Sequence, residues 1–283
     1  MNTLVVYVEG IGAWLPGLTT WPALRGWLCD ECEPATDAPA RPAATILPAG
    51  ERRRAPLAVL MAVEAATQAV AMSGRDAARL PSVFASANGD TSIVDAMCAT
   101  LAHAPRELSP TQFHNSVHNA AAGYWTIASG CREASSAITA GAFSFAAGLL
   151  EASVQALAGD TPVLLVASDD AGHGPLAEAI PSTRPFAAAL VLSPKPSPHA
   201  IARLRIQPAP ATGDDPPRHS GGVALASANL SARGLALLEA LARAEPRRLR
   251  LDAAPALGLI VELEGIAWPQ RIETPTSPHP GAS

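Results

Sequence analysis

Residues 109–152 read SPTQFHNSVHNAAAGYWTIASGCREASSAITAGAFSFAAGLLEA, and the fold turns on this stretch. It predicts a loop, a small-residue helix, a short strand at 134–140, a tight turn and a second apolar helix at 142–158 closed by Gly159. Helices this rich in Ala, Gly and Ser let backbones approach closely, which suits an inner layer or an interface. Asn115 or Ser116 is placed to cap the first helix, which ends near Gly130.

Working outward, residues 4–8 form an apolar, β-branched run that ends in a turn at Gly10 and Gly12. Thr19, Thr20, Trp21 and Pro22 open a helix that reaches Leu28. Residues 29–50 are an aperiodic surface excursion, and 55–73 a helix stopped by Gly74. A strand at 82–87 turns through residues 88–92 into a capped helix, and a loop at 102–113 leads into the central stretch. Residues 161–168 (TPVLLVAS) and 186–192 are continuous apolar runs, as in strands covered on both faces. Beyond them lie a strand at 201–206, a loop at 209–222, a helix at 231–243 and a closing strand at 257–263. The tail at 269–283 has no means of packing and is expected to be disordered. Strands alternating with helices predict an α/β layered fold.

Hydrophobic residues make up 48% of the 283 positions and charged residues 16%, a balance that favours apolar surface set against a partner. A net charge of −5 gives no footprint for nucleic acid. The basic run Arg52, Arg53, Arg54 is a solvated helix start, or else a contact for an acidic carrier protein or a pantetheine phosphate. The N-terminus lacks a basic leader region, and no apolar run demands a membrane span, so a cytoplasmic protein is expected. Cys29 and Cys32 form a CxxC pair with no second pair at zinc spacing, so neither a metal site nor a cofactor is expected.

His114 and His118 stand four apart, on one side of the helix they open. Asn115 occupies the place where a zinc protease carries its Glu, so a hydrogen-bonded pair at an interface is the better reading. A base role would need Ser116 or Ser144 as nucleophile. Asp169 and Asp170 read as solvated carboxylates at a strand end, and Glu151 pairs with Arg132 or across an interface.

In the chain's first 195 residues, several features together resemble the N-terminal half of a β-ketoacyl synthase, a member of the thiolase-like fold. They are the opening YVEGIGAWLPG (7–17), then Asn119, Gly123, Thr126, Ile127, Gly130 and Arg132, and the approach Ser135–Ala140 to the nucleophile elbow. That resemblance implies a complete N-terminal half at 1–195 and a reduced second half at 196–268. Such an elbow has Thr-Ala-Cys; here Thr139 and Ala140 are followed by Gly141, Ala142 and Phe143, so Gly141 or Ala142 holds the nucleophile position and neither forms a thioester. Cys131 lies too far upstream to replace it, and His219-Ser220-Gly221-Gly222 is a poor echo of the family's His-Gly-Thr-Gly-Thr.

Ketosynthase-like chains without the nucleophile are chain-length factors. The phrases ERRRAP (51–56), SPTQFHNSVHNAAAGYW (109–125) and FAAGLLEA (145–152) are similar to the short subunits of aryl polyene and xanthomonadin-type pathways. The resemblance implies a heterodimer with an active β-ketoacyl-ACP synthase, working with acyl carrier protein. It also implies an interface and acyl-tunnel wall containing Gln112, Phe113, His114, Asn115, His118, Asn119, Tyr124, Trp125 and Phe143. Two other readings stay open: an acyl-thioester hydrolase or transferase using His114 or His118, and a homodimeric scaffold that holds a carrier protein.

Overall fold

The structure is a computed structural model and describes residues 3–265. The expected tail at 269–283 lies outside those residues. Strand β1 (Leu4–Trp14) leads to helix α1 (Trp21–Leu28), a long excursion, α2 (Ala49–Arg54) and α3 (Leu57–Ser73). Then follow β2 (Ser82–Ala85), α4 (Thr91–His103), α5 (Pro110–Asn115), α6 (Ala120–Ser129), β3 (Ser135–Ile138), α7 (Ser144–Gly159), β4 (Val163–Asp169) and β5 (Phe186–Ser193). The described residues end with β6 (Ala202–Ala209), α8 (Ser220–Ala228), α9 (Leu235–Arg243), β7 (Arg247–Ala254) and β8 (Leu257–Gly265).

The eight strands among the described residues join one sheet in the order β3-β2-β4-β5-β1-β6-β8-β7. β2 runs parallel to β3 and β4, and every other pairing is antiparallel. The apolar strands feed both faces, as their unbroken hydrophobic runs predict. Val163, Leu165 and Ala167 of β4 join a core with α1, α7 and α9, while Leu164 and Val166 join the core under α3 and α6. The result is a three-layer α/β/α arrangement, in which β6, β8 and β7 continue the sheet beyond β1. Among the described residues, the helical stretch Gly141–Gly159 is long and apolar enough to cross a membrane by composition; here Phe145, Leu149 and Ala152 within it pack into the core.

Gly10 and Gly12 lie inside β1 and not in a turn after it. The reason is close packing: a Cβ on Gly12 would stand 1.9 Å from the Ala65 carbonyl oxygen of α3, and one on Gly10 2.0 Å from that of Ala69. Helix α1 starts where the sequence predicts, with the Thr20 side chain accepting a hydrogen bond from Ala23 N at 3.3 Å. Thr20→Ala is therefore expected to cost about 1 kcal/mol and Thr20→Asp close to nothing, read from urea midpoints.

Four other expectations change. The 102–113 segment carries α5, and α6 begins at Ala120, so Asn119 and not Asn115 or Ser116 occupies its N-cap position, without a side-chain bond. α8 begins inside the expected 209–222 loop; His219 caps it, with Nδ1 accepting from Gly222 N at 3.1 Å. The helix expected at 231–243 is a short 3-10 turn, Ser231–Gly234, followed by α9. β7 was not expected at all.

Candidate functional site

The elbow joins β3 to α7 through the tight turn Gly141–Phe143, with Gly141 at φ +55°. Its only inward hydroxyl belongs to Ser144, which is fully buried and already committed. Ser144 Oγ donates to the Gly141 carbonyl at 2.8 Å and accepts from Ala140 N at 3.0 Å, bracing the turn from within. Thr139 Oγ1 donates to the Ala87 carbonyl at 3.0 Å. Cys131 sits before the other end of β3, buried, with Sγ on the Leu80 carbonyl. Neither Gly141 nor Ala142 in this turn carries a thiol or hydroxyl side chain.

Beneath the elbow the loop after β2 collects hydrogen bonds. The Ser86 carbonyl receives His118 Nε2 at 3.1 Å. Asp169, at the end of β4 and 1% exposed, accepts from Ser86 Oγ (2.8 Å), Ala87 N (2.8 Å) and Asn88 N (3.3 Å) on one oxygen. Its other oxygen accepts from Ser231 Oγ at 2.6 Å. Burial pushes its pKa up, against the pull of those donors. Asp170 is also raised, chiefly by burial, with His173 Nε2 3.7 Å away. The expected solvated pair is thus two shielded carboxylates, and Asp169 is a tie between the elbow loop and the second half of the chain. Glu151 accepts from Gln155 Nε2 at 2.8 Å on its own helix. Among the described residues no group of three or more His, Cys, Asp or Glu could hold a metal.

The predicted interface residues divide into two sets. His114 and His118 do not share a helix face, because α5 ends at Asn115 and the chain turns before α6. His114 is exposed, with its ring edge-on to Tyr124 at 6.3 Å between centroids. Asn115 is buried and accepts from Tyr124 Oη at 3.1 Å; burial pushes the Tyr124 pKa up. Trp125 is fully buried in the core below α6, away from any surface channel. Phe113, 60% exposed, stands outward on α5, while Gln112 and Phe143 are half-buried and Asn119 is exposed.

Sequence reading missed the apolar surface beside them. Val117 and Ile127, the latter 80% exposed, line an open groove of about 620 Å³ together with Ile46, Leu47, Pro48 and Tyr124. The missed signal is the placing of bulky apolar residues in an otherwise small-residue helix. β3, which packs against α6, is an edge strand that among the described residues pairs only with β2.

Compared with known protein families, residues 26–252 match the β-ketoacyl synthase N-terminal domain. The chain belongs to the β-ketoacyl synthase family. No curated protein matches it. Among solved structures, this ketosynthase-family chain shares its fold with a chain of the complex between a ketosynthase (ApeO) and its chain length factor (ApeC) from Xenorhabdus doucetiae. The TM-score is 0.67 at 24% identity, over 92% of this chain and 99% of that one. It also shares the fold of a complex of a type II polyketide acyl-carrier protein with its ketosynthase, AntDE:AntF (TM-score 0.71, 13% identity, 94% and 100% covered). The ishigamide ketosynthase/chain length factor matches with TM-score 0.66 at 12% identity, over 93% and 100%. The thiolase-like α/β fold expected from residues 1–195 is therefore the fold this chain has.

Proposed function

We propose that this chain is a chain-length-factor-type subunit. It pairs with an active β-ketoacyl-ACP synthase in the cytoplasm, stabilises it and walls part of its acyl tunnel during polyene or polyketide elongation. The observation that carries this reading is an intact elbow with no nucleophile, set beside an exposed edge strand and an exposed apolar groove. Condensation needs a thiolate to take the acyl group; Gly141 and Ala142 offer none, so the chemistry falls to the partner. Exposed apolar patches mark protein contacts; Val117 and Ile127 line one groove, and Phe113, on α5, is likewise exposed. Residues 1–195 carry the ketosynthase-like half and 196–268 the reduced remainder. The α2 arginines supply the face on which an acidic carrier protein would dock.

The hydrolase alternative is weakened by what its candidates already do. Ser144 is enclosed with both hydroxyl bonds made, and His118 is held on a backbone carbonyl. The test is co-expression with the neighbouring ketosynthase, sizing by chromatography with mass determination, and assay of malonyl condensation. A one-to-one complex with activity that neither chain has alone is the expected result. A stable homodimer that ignores the ketosynthase would support the scaffold reading, and thioester hydrolysis by the lone chain, lost in His114→Ala or His118→Ala, would support the hydrolase.

A further inference from the structure

Beside Ala142, one of the two residues at the expected nucleophile position, the chain is filled. Phe145, in the first turn of α7, is buried against the Ser231–Gly234 turn. The fit is close: a Cβ built on Gly234 would stand 2.3 Å from two atoms of the Phe145 ring. The crevice bounded by Ala142, Phe145, Ala146, Arg233 and Leu251 has no room for a water molecule. Its outer side is knitted shut by polar contacts. Arg233 Nε donates to Asp214 at 2.6 Å, and the other Asp214 oxygen accepts from Asp252 N of β7 at 2.6 Å. Asp252 in turn accepts from Thr212 N and Gly213 N, which fixes the crossing loop over the crevice.

We propose that Phe145 is a plug, seated on Gly234, that excludes acyl-pantetheine from this chain's own elbow. The proposal rests on the partner-subunit reading and deepens it, since it makes Phe145 a residue that determines which side of the pair carries the acyl chain. Loss of the nucleophile alone would leave an idle pocket that competes for substrate. An aromatic ring packed on a bare backbone removes the pocket itself. Any small side chain at 145 would reopen it, and any side chain at 234 would displace the ring.

The experiment uses the full chain, alone and in complex with a ketosynthase whose own thiol has been alkylated. Phe145→Ala removes six ring carbons and should leave an apolar cavity on the order of 100 Å³, in the size class that stays dry and takes up benzene. Phe145→Leu is the milder variant should the first fail to fold. Benzene is expected to raise the melting temperature of the variant and leave that of the wild type unchanged. Hexanoyl-pantetheine, followed by calorimetry, should bind the variant about tenfold or more tighter than the wild type. Equal binding to both, or an unmoved melting temperature in both variants, would overturn the plug. Complex formation is scored separately by chromatography. A plug that holds in a chain that never pairs would sink the partner reading alone, and a wild-type complex that binds hexanoyl-pantetheine on this subunit would sink the plug alone.

Discussion

Ala137→Pro is expected to weaken pairing with a ketosynthase by about a hundredfold or more while leaving the chain folded. The reasoning starts from the ladder between β2 and β3. Ser82 N donates to the Ala134 carbonyl and Ser86 N to that of Ile138. Donors and acceptors alternate along a parallel ladder, so Ser135 and Ala137 turn their N–H and C=O groups away from β2. A proline at 137 therefore removes no bond within the chain, and an edge strand tolerates it where the N–H faces outward. Ser136, the residue before it, is already extended, as a proline requires. Such an unpaired edge is a template for strand addition by another chain, and the ring would stand in the way of it. Circular dichroism and the melting curve should remain within a few degrees of wild type, while the one-to-one peak with the ketosynthase is lost. A complex of unchanged affinity would mean that β3 is not part of the interface, and that Phe113, Val117 and Ile127 must carry it by themselves.

Much of this fold was legible because local rules and packing agreed. The Thr20 cap, the Gly74 stop and the two-sided apolar strands β4 and β5 each follow from a few neighbouring residues, and each is where the sequence predicts. Gly10 and Gly12 went astray because a glycine in a β-branched run signals either a turn or a close approach of another backbone, and only the packing of α3, more than fifty residues on, decides between them. β7 hides its signal behind charge: Leu249, Leu251 and Ala253 point inward while Arg248 and Arg250 point out, a plain period of two. His114 and His118 failed as a helical pair because spacing says nothing if the helix ends between them.

The candidate site was legible in part. The tight turn between β3 and α7 at Gly141–Phe143 follows from the residues themselves. The apolar surface, the Asp169 tie and the Phe145 plug do not, since each joins segments far apart in sequence. Asp169 gathers donors from residues 86–88 and 231, and Phe145 meets Gly234. No motif links such positions, and their meaning appears only when the sheet brings β2, β4 and the Ser231–Gly234 turn together.

Arg75→Met is expected to cost about 3–5 kcal/mol at neutral pH, the penalty for leaving a buried charge without its partner. Glu9 is the extra residue of a β-bulge: Val8 pairs with Leu192 and Gly10 with Val191, and Glu9 has no partner in the ladder with β5. Its carboxylate, 1% exposed, accepts from Arg75 Nε and Nη2 at 2.7 Å each and from Ser197 Oγ. The bulge in β1, the end of α3 and the β5–β6 connection are thereby pinned at one point. Burial pulls the Glu9 pKa up, but the Arg75 and Ser197 hydrogen bonds and the Arg75 charge outweigh it, so it lies below the ordinary value. With the folded pKa depressed, the stabilisation is present above the unfolded carboxylate range, near 4.3, and is lost as pH falls through the folded pKa. In the variant, burial acts unopposed by the guanidinium, so Glu9 takes up a proton more readily and the penalty eases as pH falls. Urea unfolding of both proteins between pH 7 and pH 4 should therefore show two stability curves that converge toward acid. A gap that stays constant across that range would mean that Arg75 acts through its packing against β1 and not through its charge.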